Sequence, residues 1–307
     1  MNITDCTRIF IILLHIICCN KVASQQIPFY TQYMFNLQNV NVAYTGAKNY
    51  LSTSLIYRTQ WVGFPGSPTY QNFSISMPIQ KQNAGIGIQF VNDKIGEHSM
   101  AGAAFSYAYK LKLANGKLCF GLRSGIVNYT YHWDRIKYKD SNDNLVSNVE
   151  KSKLTPTFDF GTIFYNKYFF IGLEAAQLGG SRIVKSNTSN AVQTLHCNFI
   201  VGKAIVLSEQ LLLKPSMLVR YAAGGQFQAD INSSILLKKT VWFGLGYRSN
   251  EGIQFLTEIY ANSQIRVGYS YDYALNKLRG NQAGSHEIFL GVDFNIFKNE
   301  TISPRYF

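Results

Sequence analysis

From about residue 50 onward the chain alternates between apolar and small or polar positions. In Ala101 to Tyr109, one face carries Ala101, Ala103, Phe105, Tyr107 and Tyr109, and the other Gly102, Ala104, Ser106 and Ala108. Ile265 to Tyr273 sets Ile265, Val267, Tyr269, Tyr271 and Tyr273 against Arg266, Gly268, Ser270 and Asp272. Ile288 to Ile296 repeats the pattern with Phe289, Gly291, Asp293 and Asn295 on its second face. A period of two over this length predicts half-buried strands. About fourteen such runs follow one another, near 50–58, 69–78, 84–92, 97–110, 117–132, 154–165, 168–177, 192–207, 210–221, 226–238, 240–249, 252–261, 264–275 and 285–297. Most reach the roughly 9–11 residues that a tilted membrane strand needs, and an even count suits a single-chain barrel.

The connections sort by parity. After even runs come "PIQKQN", "LANG", "NK", "SE", "KK" and "NS", all short and polar. The longer connections follow odd runs: the Trp61 segment, the stretch from Trp133 to Lys153, "GGSRIVKSNTSN" and "NKLRGNQAG". Short turns at one end and long loops at the other are the habit of outer-membrane barrels. A soluble sandwich has no reason to separate its loops this way. The expected fold is all-β, a single transmembrane outer-membrane β-barrel of about 14 antiparallel strands over residues 50–307. With the N-terminus in the periplasm, the odd loops face outward.

The N-terminal part departs from this pattern. Ile9 to Cys19, preceded by Arg8, is an apolar run too short to span a bilayer as a helix. It suits the core of a signal peptide, and "VAS" at Val22 to Ser24 supplies the cleavage site, so residues 1–24 read as a signal peptide. Residues 25–49 then form an N-terminal periplasmic segment or a plug that tucks into the lumen. Two cysteines remain after cleavage, Cys119 and Cys197, and strand alternation points them to opposite faces. Opposite faces disfavour a disulfide.

The net charge of +12 calls for an anionic neighbour. Lysine and arginine are scattered rather than clustered on a recognisable module, which argues against nucleic acid and for outer-membrane lipid or protein. Lipid phosphates at the outer rim are one reading of the excess; solvation of polar loops is the other. The mature histidines, His98, His132, His196 and His286, have no zinc-ligand spacing, and no Gly-x-Ser-x-Gly elbow occurs. No cofactor, metal site or enzymatic activity is expected.

Two hairpins stand out. The first connection, "YRTQWVGFPGSPTYQ" (Tyr57–Gln71), holds Arg58, Trp61, Gly63, Phe64, Gly66 and Pro68. Aromatic residues and arginine are the types enriched in interface hot spots, so the loop is a candidate partner or plug contact. Its other readings are an interfacial girdle residue with tight turns, and an inward-folded constriction. The second, "VNDKIG" (Val91–Gly96), reads as a tight hairpin in which Asn92 or Asp93 takes an unusual φ and Gly96 relieves the sterics; Asp93 and Lys94 would meet the first loop. Inward-facing charges (Arg123, Glu174, Lys214, Arg220, Arg248, Glu258, Arg266, Asp272 and Asp293) either line a polar lumen or pair across it, and filling is the favoured reading.

Five stretches resemble one family. They are "FYTQYMFNLQNVNVAYTGA" (Phe29–Ala47), "YRTQWVGFPGSPTYQNFSISMPI" (Tyr57–Ile79), "AGIGIQFVNDKIG" (Ala84–Gly96), "YAYKLKLANGKLCFGLRSGI" (Tyr107–Ile126) and the terminal "SPRYF" (Ser303–Phe307). Their order and spacing are similar to those of the PorP/SprF family, outer-membrane proteins of the type IX secretion system of Bacteroidetes-type bacteria. The resemblance is dense from about Gln25 to Ile126 and thin through the middle. It implies a non-enzymatic barrel in the outer membrane that works with other secretion components, including periplasmic ring proteins. It further implies help in secreting or attaching one surface adhesin, in support of gliding motility. The N-terminal family motif falls on Gln32, Tyr33, Phe35, Asn36 and Gly46, and Phe307 takes the place of a C-terminal insertion signal. Relatives usually carry Asn-Pro twice where this chain has Asn36-Leu37 and Asn41-Val42, which removes a stiffening of φ. The alternative function is an outer-membrane transport barrel for small hydrophobic molecules.

Overall fold

A computed structural model describes residues 30–132, 135, 152–180, 182–185, 190–223 and 226–295. Residues 1–24, the terminal Phe307 and most of the Trp133–Lys153 connection lie outside the described residues. The strands are β1 (Leu51–Thr59), β2 (Thr69–Ile79), β3 (Ala84–Ile95), β4 (His98–Leu113), β5 (Gly116–Tyr131), β6 (Ser152–Tyr165) and β7 (Phe169–Ala176). A small ribbon, β8 (Arg182–Lys185) with β9 (Asn190–Val192), stands apart from them. The wall then continues through β10 (His196–Lys203), β11 (Ile205–Ser208), β12 (Leu211–Ala222), β13 (Gln226–Leu237), β14 (Val241–Arg248), β15 (Gly252–Tyr260), β16 (Ile265–Ala274) and β17 (Ser285–Phe294).

Each wall strand pairs antiparallel with its neighbours in sequence. The cylinder closes where β1 pairs with β17, from Leu51 opposite Phe294 to Thr59 opposite His286. Since β11 only prolongs β10 past a break at Ala204, the wall is a closed barrel of fourteen antiparallel strands. The eighth run, read as 192–207, is thus split at Ala204, with a bulge between Val206 and Ser208.

Alternation sorts the side chains as the pattern demands. Leu122, Phe105, Phe158, Phe243 and Leu245 point outward and are about half exposed or more, as a lipid-facing band requires. Arg123, Ser106, Asp159, Trp242 and Arg248 point inward and are buried. Cys119 lies buried inside and Cys197 exposed outside, both as free thiols.

The core of the molecule is the filled interior. Residues 30–48 run through it as three single-turn 3-10 helices, Tyr33–Phe35, Leu37–Asn39 and Val42–Tyr44, and only Asn36 among them is not fully buried. Tyr30 and Thr31 meet the ends of β14, β16 and β17 nearest the longer loops, while Gly46 meets β4 at the end bearing the short turns. The chain therefore descends inside the barrel, turns at Asn49 and Tyr50, and climbs back as β1.

Candidate functional site

A peptide without regular secondary structure carries amide groups that need partners once buried. The wall provides them from charged side chains, with carboxylates taking N–H groups and cations taking carbonyls. Glu287 on β17 accepts from the Thr31 and Gln32 amides at 2.8 and 2.9 Å. Glu174 on β7 accepts from the Val42 amide at 2.9 Å. Arg248 donates to the Tyr30 carbonyl (3.2 Å), Lys214 to that of Met34 (3.3 Å), Arg123 to that of Gln38 (2.7 Å), and Lys110 to that of Gly46. Asn41 caps the third 3-10 turn by accepting from the Ala43 amide, and donates to the Thr162 and Leu173 carbonyls.

The same wall charges also pair with one another. Arg58 bonds Asp272 at 2.6 Å and approaches Glu287 at 3.5 Å across the β1–β17 seam. Arg248 joins Asp230 (2.8 Å) and Glu251 (3.0 Å). Arg123 meets Asp159 at 3.1 Å, and Arg266 meets Asp293 at 3.2 Å and Glu258 at 3.4 Å. The inward charges read from the sequence thus form networks that grip the interior segment. Of these residues Asp159, Asp230, Glu287, Lys110 and Glu251 were not singled out from the sequence; the same alternation places the first four inward, while Glu251 lies in the turn before β15.

Glycines make room for the segment. A Cβ on Gly121 would lie 2.5 Å from the Cα of Ala43, and one on Gly161 2.7 Å from Asn41 Oδ1. Gly85 and Gly268 would clash with the Thr45 carbonyl and Gln32 Oε1. These inward glycines form a trough in which main chain meets main chain at Gly85 and Gly121, and side chains of the segment fill the room at Gly161 and Gly268; their run on the small-residue faces is the sequence signal for it.

The family-motif residues fall on this segment. Tyr33 is buried, Phe35 packs on Trp242 with ring centroids 5.8 Å apart, and Lys214 Nζ lies 4.5 Å from the Phe35 ring. Asn36 donates to Ser54 and Ser74, and Gly46 takes φ +60° against the Met77 carbonyl. Val42, at the second position where the family resemblance implies proline, spends on Glu174 the amide that proline would lack.

The first loop divides. Arg58 belongs to β1 and points inward, 1 % exposed, where it also donates to Thr31 Oγ1 at 3.1 Å. Trp61, Gly63, Phe64 and Gly66 stay on the rim. Main-chain bonds hold the loop from both sides: Val62 N to the Gly284 carbonyl (2.9 Å), Ala283 N to the Val62 carbonyl (2.7 Å), and Gly96 N to the Gly66 carbonyl (2.9 Å). Pro68 is buried, and its carbonyl accepts from Gln60 N. Gly63 and Gly66 have φ of +90° and +71°, which glycine tolerates; Trp61 has φ +50°, which a bulky residue rarely adopts. Phe64 is 41 % exposed.

The second hairpin differs from its sequence reading. Asn92, Asp93 and Lys94 remain in β3, paired with Ala101, Met100 and Ser99, and the turn sits one step later at Gly96 with φ +56°. Strand pairing out to Ile95 and His98 outweighed the turn preference of Asn and Asp, so neither takes an unusual φ. Asp93 points inward and is buried; Asn92 and Lys94 are exposed. Lys94 pairs with Thr69 at the foot of the first loop. Among the described residues, no group of three His, Cys, Asp or Glu is placed to hold a metal ion.

Solved outer-membrane proteins align with the chain. A Pseudomonas aeruginosa FadL homologue aligns with a TM-score of 0.50 at 11% identity, covering 89% of this chain and 96% of its own. The Acinetobacter baumannii outer membrane protein Omp33 aligns at 0.46 and 6% identity, over 81% and 100%. The monoaromatic hydrocarbon channel CymD aligns at 0.49 and 8%, over 87% and 92%. At such identities the FadL homologue speaks for the fold alone. No curated protein matches the chain. The family model described as "Type IX secretion system membrane protein PorP/SprF" matches residues 22–292. That span takes in the interior segment, the rim loop and all of the wall but the end of β17, and the chain belongs to the PorP/SprF family of outer-membrane type IX secretion proteins.

Proposed function

We propose that this barrel is a non-enzymatic scaffold of the type IX secretion system that helps one adhesin-type surface protein to be secreted or attached. In this reading residues 25–49 act as a plug, and the Trp61–Gly66 loop on the outward rim contacts the partner. The observation that carries it is the filled lumen. Tyr33, Met34, Phe35, Leu37, Val40 and Val42 are all buried there. At about 2 kcal/mol per large apolar side chain, their withdrawal into water would cost on the order of 10 kcal/mol, an upper figure. A segment held so firmly favours a scaffold over a conduit. The rim loop supports the partner role by combining exposed Phe64 with a backbone held at Trp61 in an unfavourable region.

Transport of small hydrophobic molecules fits less well. The interior cavity beside Tyr30, with Arg123, Asp159 and Glu174 among its lining, holds about 120 Å³, whereas ligand pockets usually run to about 300–1,000 Å³. Deleting the gene and comparing surface proteins tests the proposal. One large surface protein should be lost from the mutant's surface, and it and periplasmic ring components should copurify with the intact barrel. Normal surface display in the deletion strain refutes it, and a selective uptake defect with normal display favours the transporter.

A further inference from the structure

Part of the basic excess lies at the end of the barrel opposite the outer rim. Lys81, Lys112, Lys117, Lys167 and Lys203 ring the end with the short turns, joined by Lys238 and Lys239. Glu209 is the one acidic residue in those turns, all of which are described. Within the ring, one turn breaks a local rule. Thr240 N donates to the Leu237 carbonyl at 2.9 Å, closing a β-turn whose central residues are Lys238 (φ +49°) and Lys239 (φ +57°). Two positive φ values are the type I′ pattern, which strongly prefers Asn-Gly; two lysines there hold strain that the fold alone does not require.

Beside this turn a groove of about 590 Å³ opens on the outer wall, bounded by Ser208, Gln210, Leu211, Leu237, Lys238, Thr240, Val241 and Phe243. Leu211, Leu237, Val241 and Phe243 lie on the lipid-facing side of their strands, while the polar members gather at the turn end. The bulge between Val206 and Ser208 in β11 bends the neighbouring edge that bounds it. An apolar trough in the hydrocarbon layer that ends under two cations at headgroup depth has the shape and charge of one lipid class.

We propose that this groove binds an anionic phospholipid of the periplasmic leaflet, with one acyl chain along Leu211, Val241 and Phe243 and the phosphate beneath Lys238 and Lys239. Ser208, whose hydroxyl oxygen accepts from Gln210 N, keeps its O–H to donate to a headgroup oxygen, whereas the Thr240 hydroxyl is spent on the Lys238 carbonyl. The assignment to the periplasmic leaflet rests on the orientation in the proposed function. The binding itself does not, so its test and the deletion phenotype fail independently.

The variant Lys238→Asn/Lys239→Gly installs the residues that the turn prefers, so folding should be preserved or improved. The assay is native mass spectrometry of the purified full-length barrel with added phosphatidylglycerol or phosphatidylcholine. Each lysine near an anionic headgroup is worth about fivefold in affinity. The wild type should therefore favour phosphatidylglycerol, and the double variant should lose about 25-fold of that preference. Lys112→Gln/Lys117→Gln, on the far side of the ring, should keep it. No preference in the wild type, a retained preference in the turn variant, or an equal loss in the Lys112/Lys117 variant would each overturn the site.

Discussion

Replacing Gly121 with alanine probes the seating of the interior segment with a single methyl group. The new Cβ would sit 2.5 Å from both the Cα and the amide nitrogen of Ala43. An ordinary carbon contact is about 3.5–4.0 Å, so the segment must back away by about 1 Å, or the wall must give. A movement of that size takes the Val42 amide off Glu174 and stretches the Arg123 bond to the Gln38 carbonyl, now 2.9 and 2.7 Å long. Overpacking typically costs about 1–3 kcal/mol, and each hydrogen bond to a charged group about 1.5–3 kcal/mol. Since the loosened segment recovers part of this by relaxing, a net of about 3 kcal/mol is expected. At about 1.4 kcal/mol per decade, the unseated population rises roughly 100-fold. Lys48 reports it, because its side chain is buried while the segment is seated. Limited trypsin digestion, followed by mass spectrometry of the peptide ending at Lys48, reads the opening equilibrium when reclosure is fast. Leu122→Ala, one residue along the same strand but facing lipid at 61 % exposure, is the control. Equal release of that peptide from the Gly121→Ala protein and the wild type would refute the close main-chain packing.

Two further outcomes follow from the rim and the seam. Arg58→Ala strips Asp272 and Glu287 of a buried partner and should lower unfolding free energy by about 3–5 kcal/mol. Adding Glu287→Gln should recover at least about 1 kcal/mol of that, as read by urea unfolding in liposomes; strictly additive losses would show that the pair is not coupled. Trp61→Gly removes a side chain from a positive-φ position, so the unfolding free energy should change by no more than about 1 kcal/mol in either direction. If the proposed function holds, recovery of the proposed secreted partner with the barrel should fall, and undiminished recovery would remove Trp61 from the proposed contact surface.

Much of the wall was legible because a period of two has one physical cause. Leu122 and Arg123 differ by a single position and meet lipid and lumen respectively, and the outward aromatics mark every long strand. Pairing between charges was not legible, since strand order fixes a neighbour on the sheet but not a partner across the interior. Arg58 shows the difficulty: grouped with an aromatic loop it reads as surface, yet Leu55 and Tyr57 facing lipid already place it inside. Asp93 shows the reverse, a turn-forming residue held extended by the strand opposite. The course of residues 30–48 was hidden because single 3-10 turns carry no helical or strand period. The groove at Lys238 was hidden because a backbone angle cannot be read from a residue that normally avoids it.

The last strand lays Glu287 over the Thr31 and Gln32 amides while its neighbour on the seam, Arg58, reaches Thr31 from the first. A barrel with its seam still open would leave that carboxylate without its amide donors and those amides without their acceptor. Because the interior segment runs directly into β1, the chain's beginning and end become neighbours through a third element that neither strand contains. Closing the cylinder and seating its filling are therefore one cooperative event, and a substitution that hinders either should be felt as a defect in assembly of the whole.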